Sequence, residues 1–221
     1  MNNDRPPGSG ESKNIFEIYT KVSNSKTFAE RASQGNSAIV MDAGDGWVGK
    51  RDKPGIDLVA REFHILAALQ ELDCNICPEI DLDYGCPGEF MIRKINNGGT
   101  LEEYILEFLF NDLDRNLLVD LLKMIAFKLN TFWDNGYIHG DLHLNNIVIG
   151  IERGGKAWDP YLIDFGYSFH QDYPLNFWEL QTVIKDQSED KAWFLHCLST
   201  IAKEDDNLLG IINEFEDDLV T

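Results

Sequence analysis

Apolar positions along the chain change their spacing near residue 96, and the change separates a strand-like first part from a helical second part. In the first part, Ser37-Ala-Ile-Val-Met41 and Gly46-Trp-Val-Gly-Lys-Arg51 are short apolar-rich runs of the kind that form strands. Asp42-Ala-Gly-Asp45 between them supplies turn residues, so the two runs are expected to pair as a hairpin. Leu58, Phe63, Ile65, Leu66 and Leu69 then recur at spacings that predict a helix of about four turns. Phe90-Met-Ile-Arg93 predicts a further strand. Residues 1–13, rich in Asn, Pro, Gly and Ser without apolar periodicity, read as a disordered tail.

Asn96-Asn-Gly-Gly99 is the clearest break in the chain. Directly after it, Thr100 with Glu103 three residues on has the spacing of a helix capping box. The strongly apolar stretch from Leu117 to Trp133 predicts the central helix of the second part. Two β-branched runs follow, Asn146-Ile-Val-Ile149 and Tyr161-Leu-Ile163, and three helical stretches close the chain near 175–187, 190–203 and 207–219. No internal repeat is visible. The expected class is α+β, β-rich before the break and α-rich after it.

Composition narrows this picture. The 221 residues are 43% hydrophobic, enough for a buried core in one domain or two closely packed lobes. No run of about 18 apolar residues occurs, and the N-terminus lacks an apolar signal-like segment, so neither a membrane span nor secretion is expected. Asp and Glu number 38 against 19 Lys and Arg, a formal charge of −19. Such a field repels phosphate backbones and makes nucleic acid an unexpected partner, while it favours basic ones. Cys74-Asn-Ile-Cys77 has zinc-ligand spacing, but four ligands would require Cys86 and Cys197 to converge from afar. Reduced thiols in a cytoplasmic, reducing compartment fit the cysteines better.

The chemistry concentrates in the polar loop His139-Gly-Asp-Leu-His-Leu-Asn-Asn146, between the apolar helix and a β-branched strand. Asp141 and Asn146 offer oxygen donors of the kind a hard Mg²⁺ ion takes. Eighteen residues beyond Asn146, Asp164 ends a strand and is followed by Phe165 and Gly166, where glycine permits a sharp turn. Two oxygen ligands and one further carboxylate are the equipment of phosphoryl transfer, which relies on positioning and charge neutralisation. Either segment alone could be an ordinary turn or hairpin.

Together, in this order, they resemble the protein-kinase H-R-D-L-x-x-x-N loop and D-F-G element. The resemblance implies a bilobal fold, with an N-lobe over about 14–95 and a reduced α-helical C-lobe over about 96–221. It makes Asp141 the base or orienter of an acceptor hydroxyl, Asn146 and Asp164 the Mg²⁺ ligands, and His139 and Phe165 packing residues. On the strand Gly46–Arg51, Val48 and Lys50 share a face, which resembles V-A-I-K; Val48 would lie over adenine and Lys50 would reach the phosphates of ATP. Glu62, on the following helix, would pair with Lys50. Ser33-Gln-Gly-Asn-Ser-Ala-Ile-Val40 matches the glycine-rich loop only through Gly35 and Val40. Phe90 to Ile105 resembles a kinase hinge entering the next helix, with backbone groups of Arg93, Lys94 and Ile95 meeting adenine.

Departures from that pattern matter as well. Gly140 replaces the arginine that reads a phosphorylated activation loop, so such activation is not expected. His143 stands in place of a lysine and supplies charge if protonated, none if neutral. With 55 residues after Gly166 and no A-P-E motif, the peptide-docking helices of a full C-lobe are not expected to fit. Asn176-Phe-Trp-Glu-Leu-Gln181 would stand for D-x-W-S-x-G, with Asn176 in the aspartate position. Compact C-lobes of this kind resemble RIO-type and small viral kinases, and the wording HGDLHxxN resembles aminoglycoside phosphotransferases. The leading expectation is a minimal Ser/Thr protein kinase using ATP and Mg²⁺ on a basic protein. A small-molecule phosphotransferase and a pseudokinase binding module are the alternatives.

Overall fold

The computed structural model describes residues 38–54, 58–72, 74–83, 88–95, 99–111, 115–151, 158–175, 184, 186–203 and 205–220. Gly35, the 1–13 tail, Asn176 and most of the 175–187 stretch lie outside them.

Strands β1 (Ala38–Gly44) and β2 (Trp47–Asp52) pair antiparallel, and β3 (Glu89–Arg93) adds to the other edge of β2. The hairpin turn falls two residues later than Asp42–Asp45, at Asp45-Gly46, where both residues adopt positive φ. Asp-Gly is the dipeptide that tolerates this conformation, and it overrides the earlier polar residues. Asp42 instead accepts a bond from the Gly44 N–H at 2.9 Å. Register places Lys50 between Val40 and Phe90 on the central strand, and Val48 opposite Ile92.

Helix α1 (Val59–Leu69) buries Val59, Glu62, Ile65, Leu66 and Leu69 along one stripe. Its start has no side-chain cap of its own. Asp52, at the end of β2, accepts from the Leu58 and Val59 N–H groups at 3.0 Å each and so performs that task from a distance. Helix α2 (Leu101–Asn111) opens with the expected capping box. The Thr100 N–H donates to Glu103 Oε2 at 2.7 Å, and the Glu103 N–H to Thr100 Oγ1 at 3.3 Å.

Helix α3 (Arg115–Asp134) is the spine of the second part, burying Leu118, Leu121, Leu122, Ile125, Leu129, Phe132 and Trp133. Lys128 lies on that buried face. Its ammonium donates to Asn75 O and Pro160 O at 2.7 Å and meets Asp159, so it ties the turn after α1 to the strands beyond α3. Strands β4 (Ile147–Ile151) and β5 (Trp158–Leu162) form a small antiparallel ribbon, and α4 (Gln187–Ile201) and α5 (Asp206–Val220) complete the chain. The result is the mixed α+β architecture expected, a small sheet with one helix followed by a helical part.

Among the described residues no helix is long and apolar enough to cross a membrane, and no group of three or more His, Cys, Asp or Glu gathers to hold a metal. Cys74, Cys77 and Cys197 are free thiols, and Cys86 is outside the described residues. Burial pushes the Cys77 thiol up to about 12. Cys77 is therefore expected to resist iodoacetamide in the native protein near about pH 8 and to react only on unfolding. Mass spectrometry of a labelling time course checks this, and fast native labelling of Cys77 would contradict it.

Candidate active site

Four separate pieces of backbone supply the site: β2, α1, the loop 139–146 and the turn that begins at Asp164. Lys50 connects three of them. Its Nζ lies 2.7 Å from both Glu62 oxygens and 2.8 Å from Asp164 Oδ1. Glu62 is 2% exposed, so it is no solvated surface glutamate but a buried carboxylate aimed at one cation. Burial raises the Glu62 carboxyl, with Lys50 and the Phe165 N–H opposing it. For Lys50, burial works downward, but the charges of Glu62 and Asp164 outweigh it and hold the ammonium above its ordinary range. At Asp164 burial works upward and Lys50 reverses it, leaving the carboxyl below its ordinary range. Lys50 therefore remains an ammonium that faces two carboxylates.

Asp164 holds φ 62° and ψ 60°, a left-handed conformation uncommon for residues other than glycine. Asp tolerates it better than most side chains, and the surroundings enforce it. A 3-10 turn, Phe165–Tyr167, follows at once. Phe165 is fully buried against Phe132 and His139, with ring centroids 6.0 and 5.1 Å away. His139 is also fully buried, and its Nε2 lies 3.0 Å from Ile163 O. A carbonyl only accepts, so this nitrogen carries the proton. Burial lowers the ring's proton affinity, and Nδ1 has no partner, so His139 packs as a neutral ring. Both residues do what the sequence predicted of them.

Within the loop, Asn146 Nδ2 donates to Asp141 O at 2.9 Å, which leaves the amide oxygen as the end available to a ligand. Asn146 O accepts from the Ile163 N–H at 2.9 Å and so couples the loop to the strand leading to Asp164. The Asp141 side chain is about 43% exposed, and burial of the rest raises its carboxyl. His143 Nε2 stands 3.9 Å from Asp141 Oδ2, so positive charge on that ring would act on Asp141 first. Thr100 and Glu102, at the start of α2, bond Asn145 and tie the loop to that helix.

Two residues that the sequence left unremarked complete the framework. Asp190, on α4, is fully buried. Its Oδ2 accepts from the His139 N–H and from Trp133 Nε1, both at 3.0 Å, and its Oδ1 from the Gly140 N–H at 3.1 Å. Asn176 lies outside the described residues, so the expectation attached to it stands apart from this anchoring aspartate. The available signal was weak, because Trp193 follows Asp190 by three positions and not two. Gly140 itself has φ 79°, so glycine fits there without strain. The second residue is Arg61, whose guanidinium meets the carbonyls of Gly166 and Ser168 at 2.9 Å each.

The nucleotide-contact expectations fare unevenly. Val40 and Val48 lie on the Lys50 face of the sheet, Val40 with 42% exposure. The Arg93 and Lys94 N–H groups are already bonded, to Glu79 O at 2.6 Å and Gly46 O at 2.8 Å. Their side chains turn elsewhere: Arg93 sits 4.0 Å over the Trp47 ring and Lys94 lies 3.7 Å from Asp42. A cavity of about 600 Å³ beside this segment is lined by Leu69, Cys77, Glu79, Ile95 and Tyr161 and includes none of Lys50, Asp141, Asn146 or Asp164.

No family model matches the chain. It is 31% identical over 140 residues to the EKC/KEOPS complex subunit BUD32 of Kluyveromyces lactis, a similarity covering 58% of this chain and 47% of that protein. Over 36 residues it is 53% identical to nucleosomal histone kinase 1 of Drosophila melanogaster, or 16% of this chain and 6% of the fly protein. The chain thus spans about half the length of the first relative and a small part of the second. Neither name is that of a RIO kinase, a viral kinase or an aminoglycoside phosphotransferase. With the small sheet, the helical second part and the charged cluster between them, these similarities support a protein-kinase-like chain with a fold consistent with a bilobal kinase.

Proposed function

We propose that the chain is an ATP- and Mg²⁺-dependent phosphotransferase that acts on serine or threonine hydroxyls of a basic protein. The observation carrying this reading is the Lys50 ammonium held between Glu62 and Asp164, 2.7 and 2.8 Å away. A cation fixed in this way is pre-positioned for phosphate oxygens, whereas an isolated surface lysine is not.

In this reading Asp164 and the free amide oxygen of Asn146 hold Mg²⁺. Two protein oxygens suit that ion, which keeps several waters and shares phosphate oxygens instead of demanding an all-protein cage. Bound there, the metal would neutralise phosphate charge. Val40 and Val48 would cover the adenine face, and the carbonyls of Arg93 and Ile95 with the Ile95 N–H would meet its edge, in place of the committed Arg93 and Lys94 N–H groups. Gly35 would belong to the loop over the phosphates. Asp141 would orient the acceptor hydroxyl and take its proton as the oxygen–γ-phosphorus bond forms and the bond to the departing ADP oxygen breaks. His143 would hold Asp141 in place from the side. The charge of −19 favours a basic acceptor, and the name of one relative, a complex subunit, adds a protein partner to the reading.

Transfer of γ-labelled phosphate to basic proteins, measured beside amino-sugars and simple alcohols, tests the acceptor class. Asp141→Asn is expected to lower kcat by about 10²–10⁴-fold with little change in ATP affinity. Transfer surviving within about tenfold of the parent would remove Asp141 from this role. Failure of the parent to bind nucleotide in a thermal-shift titration would sink the whole reading.

A further inference from the structure

We infer that Arg61 is a positioning residue that fixes the segment after Asp164 permanently, doing by constant hydrogen bonding what a phosphorylated segment would otherwise do. The inference rests on the phosphotransferase reading above. Three observations converge on it.

The first is geometric. Arg61 Nε donates to Ser168 O and a terminal guanidinium nitrogen to Gly166 O, each at 2.9 Å. One planar fork thus spans two carbonyls of the same turn, a match that guanidinium makes and ammonium does not. Both carbonyls lie within four residues of Asp164, whose left-handed conformation needs outside support.

The second is the company Arg61 keeps on α1. Glu62, its neighbour, takes Lys50, which in turn holds the Asp164 carboxylate. His64, three positions further on, stacks on Tyr173 with rings 5.9 Å apart and 5° from parallel. Helix α1 therefore grips the segment at three successive points: Asp164 through Lys50, Gly166 and Ser168 through Arg61, and Tyr173 through His64. Moving α1 outward would release all three together.

The third is the other wall of the same segment. Ser168 is fully buried, and its hydroxyl donates to His139 O at 2.9 Å. Ile138 and Phe169 exchange two backbone bonds at 3.0 Å. The loop side thus holds the segment through neutral groups, and Gly140 brings no side chain to it. Arg61 supplies a cation to this turn from the helix side, and the two backbone carbonyls it meets there need no modification to be recognised.

The expected consequence is an enzyme whose rate does not depend on phosphorylation of its own segment. Phosphatase treatment of the purified chain should leave kcat within about twofold. Arg61→Ala should lower kcat by about ten- to a hundredfold, since small misplacements of reacting groups have effects of this size. KM for ATP should change less than threefold or so, and the Mg²⁺ concentration for half-maximal rate should rise, because Asp164 loses its support. Arg61→Lys, which keeps the charge but not the fork, should recover only part of the rate. Hydrogen exchange at residues 164–169 should speed up in Arg61→Ala while α3 stays protected. An Arg61→Ala protein with parental kcat and Mg²⁺ dependence would overturn the inference, and so would a tenfold fall on phosphatase treatment. Unchanged exchange at 164–169 would overturn it too, and because this readout needs no activity, it separates failure of the inference from failure of the phosphotransferase reading.

Discussion

Asp164→Asn is expected to reduce Mg²⁺-dependent phosphoryl transfer by about a thousandfold or more while leaving the fold intact. The carboxylate has two partners in the proposed mechanism, the metal and the Lys50 ammonium 2.8 Å away. An amide is a far weaker ligand for a hard cation, and it gives Lys50 no opposite charge. Loss of one pre-positioned charge at a reacting phosphate is worth about 10²–10³ in rate, and Asp164 supplies more than one such interaction. Its side chain is 51% exposed, so stability should change little. Initial rates with γ-labelled ATP across a Mg²⁺ titration check this. A variant within tenfold of the parent at saturating Mg²⁺ would show that Asp164 does not hold the metal.

The second large effect is expected at Asp190, which bonds the backbone beside Asp141 from beneath the loop. Asp190→Ala would leave the His139 and Gly140 N–H groups and the Trp133 indole N–H without an acceptor. Each unsatisfied buried donor costs about 1–3 kcal/mol. The expected loss is about 4 kcal/mol or more, at the high end for a single substitution. Asp190→Asn should be intermediate, because one oxygen remains an acceptor while the new amide group confronts an N–H. Urea denaturation followed by tryptophan fluorescence measures both. An Asp190→Ala midpoint equal to the parent's would mean that the loop 139–146 is held by other means. Because Asp190 supports the residues next to Asp141, the folded fraction of the Asn variant should also turn over more slowly.

Both predictions depend on contacts between distant parts of the chain, and this is where the sequence was hardest to read. The capping box at Thr100 was legible because all its partners lie within four residues. The strands and helices were legible because apolar spacing reports a local period. The turn between β1 and β2 was misplaced by two residues. Several polar residues there could have formed it, and only Asp45-Gly46 satisfies the twist of the paired strands. Glu62 was expected to pair with Lys50 only through the kinase resemblance, since on its own a glutamate of this helix reads as one more surface charge. Burial made it a site residue, and nothing within its own helix announces that.

Asp190 and Arg61 are the sharper cases. In Ser188-Glu-Asp-Lys191 the aspartate is one acidic residue among several at a helix start, where acids are common. Its role arises because α4 packs under the loop 51 residues earlier in sequence. Arg61 reaches carbonyls 105 and 107 residues away. Those acceptors are backbone groups, so no side-chain motif at Gly166 or Ser168 could have pointed back to it.

By itself, the sequence determined the chemical inventory and its order: Lys50, Glu62, Asp141, Asn146 and Asp164, set on elements whose boundaries follow from local periodicity, capping and turn residues. It also determined the absence of an arginine at Gly140. The tertiary structure alone decided which charges meet. Lys50 lies 114 residues from Asp164 in sequence and 2.8 Å from it in space. The physical reason is that hydrogen bonds within a helix or hairpin are encoded by neighbours, whereas the partner of a buried charge is chosen by how whole elements pack, and burial converts an ordinary side chain into a fixed electrostatic constraint.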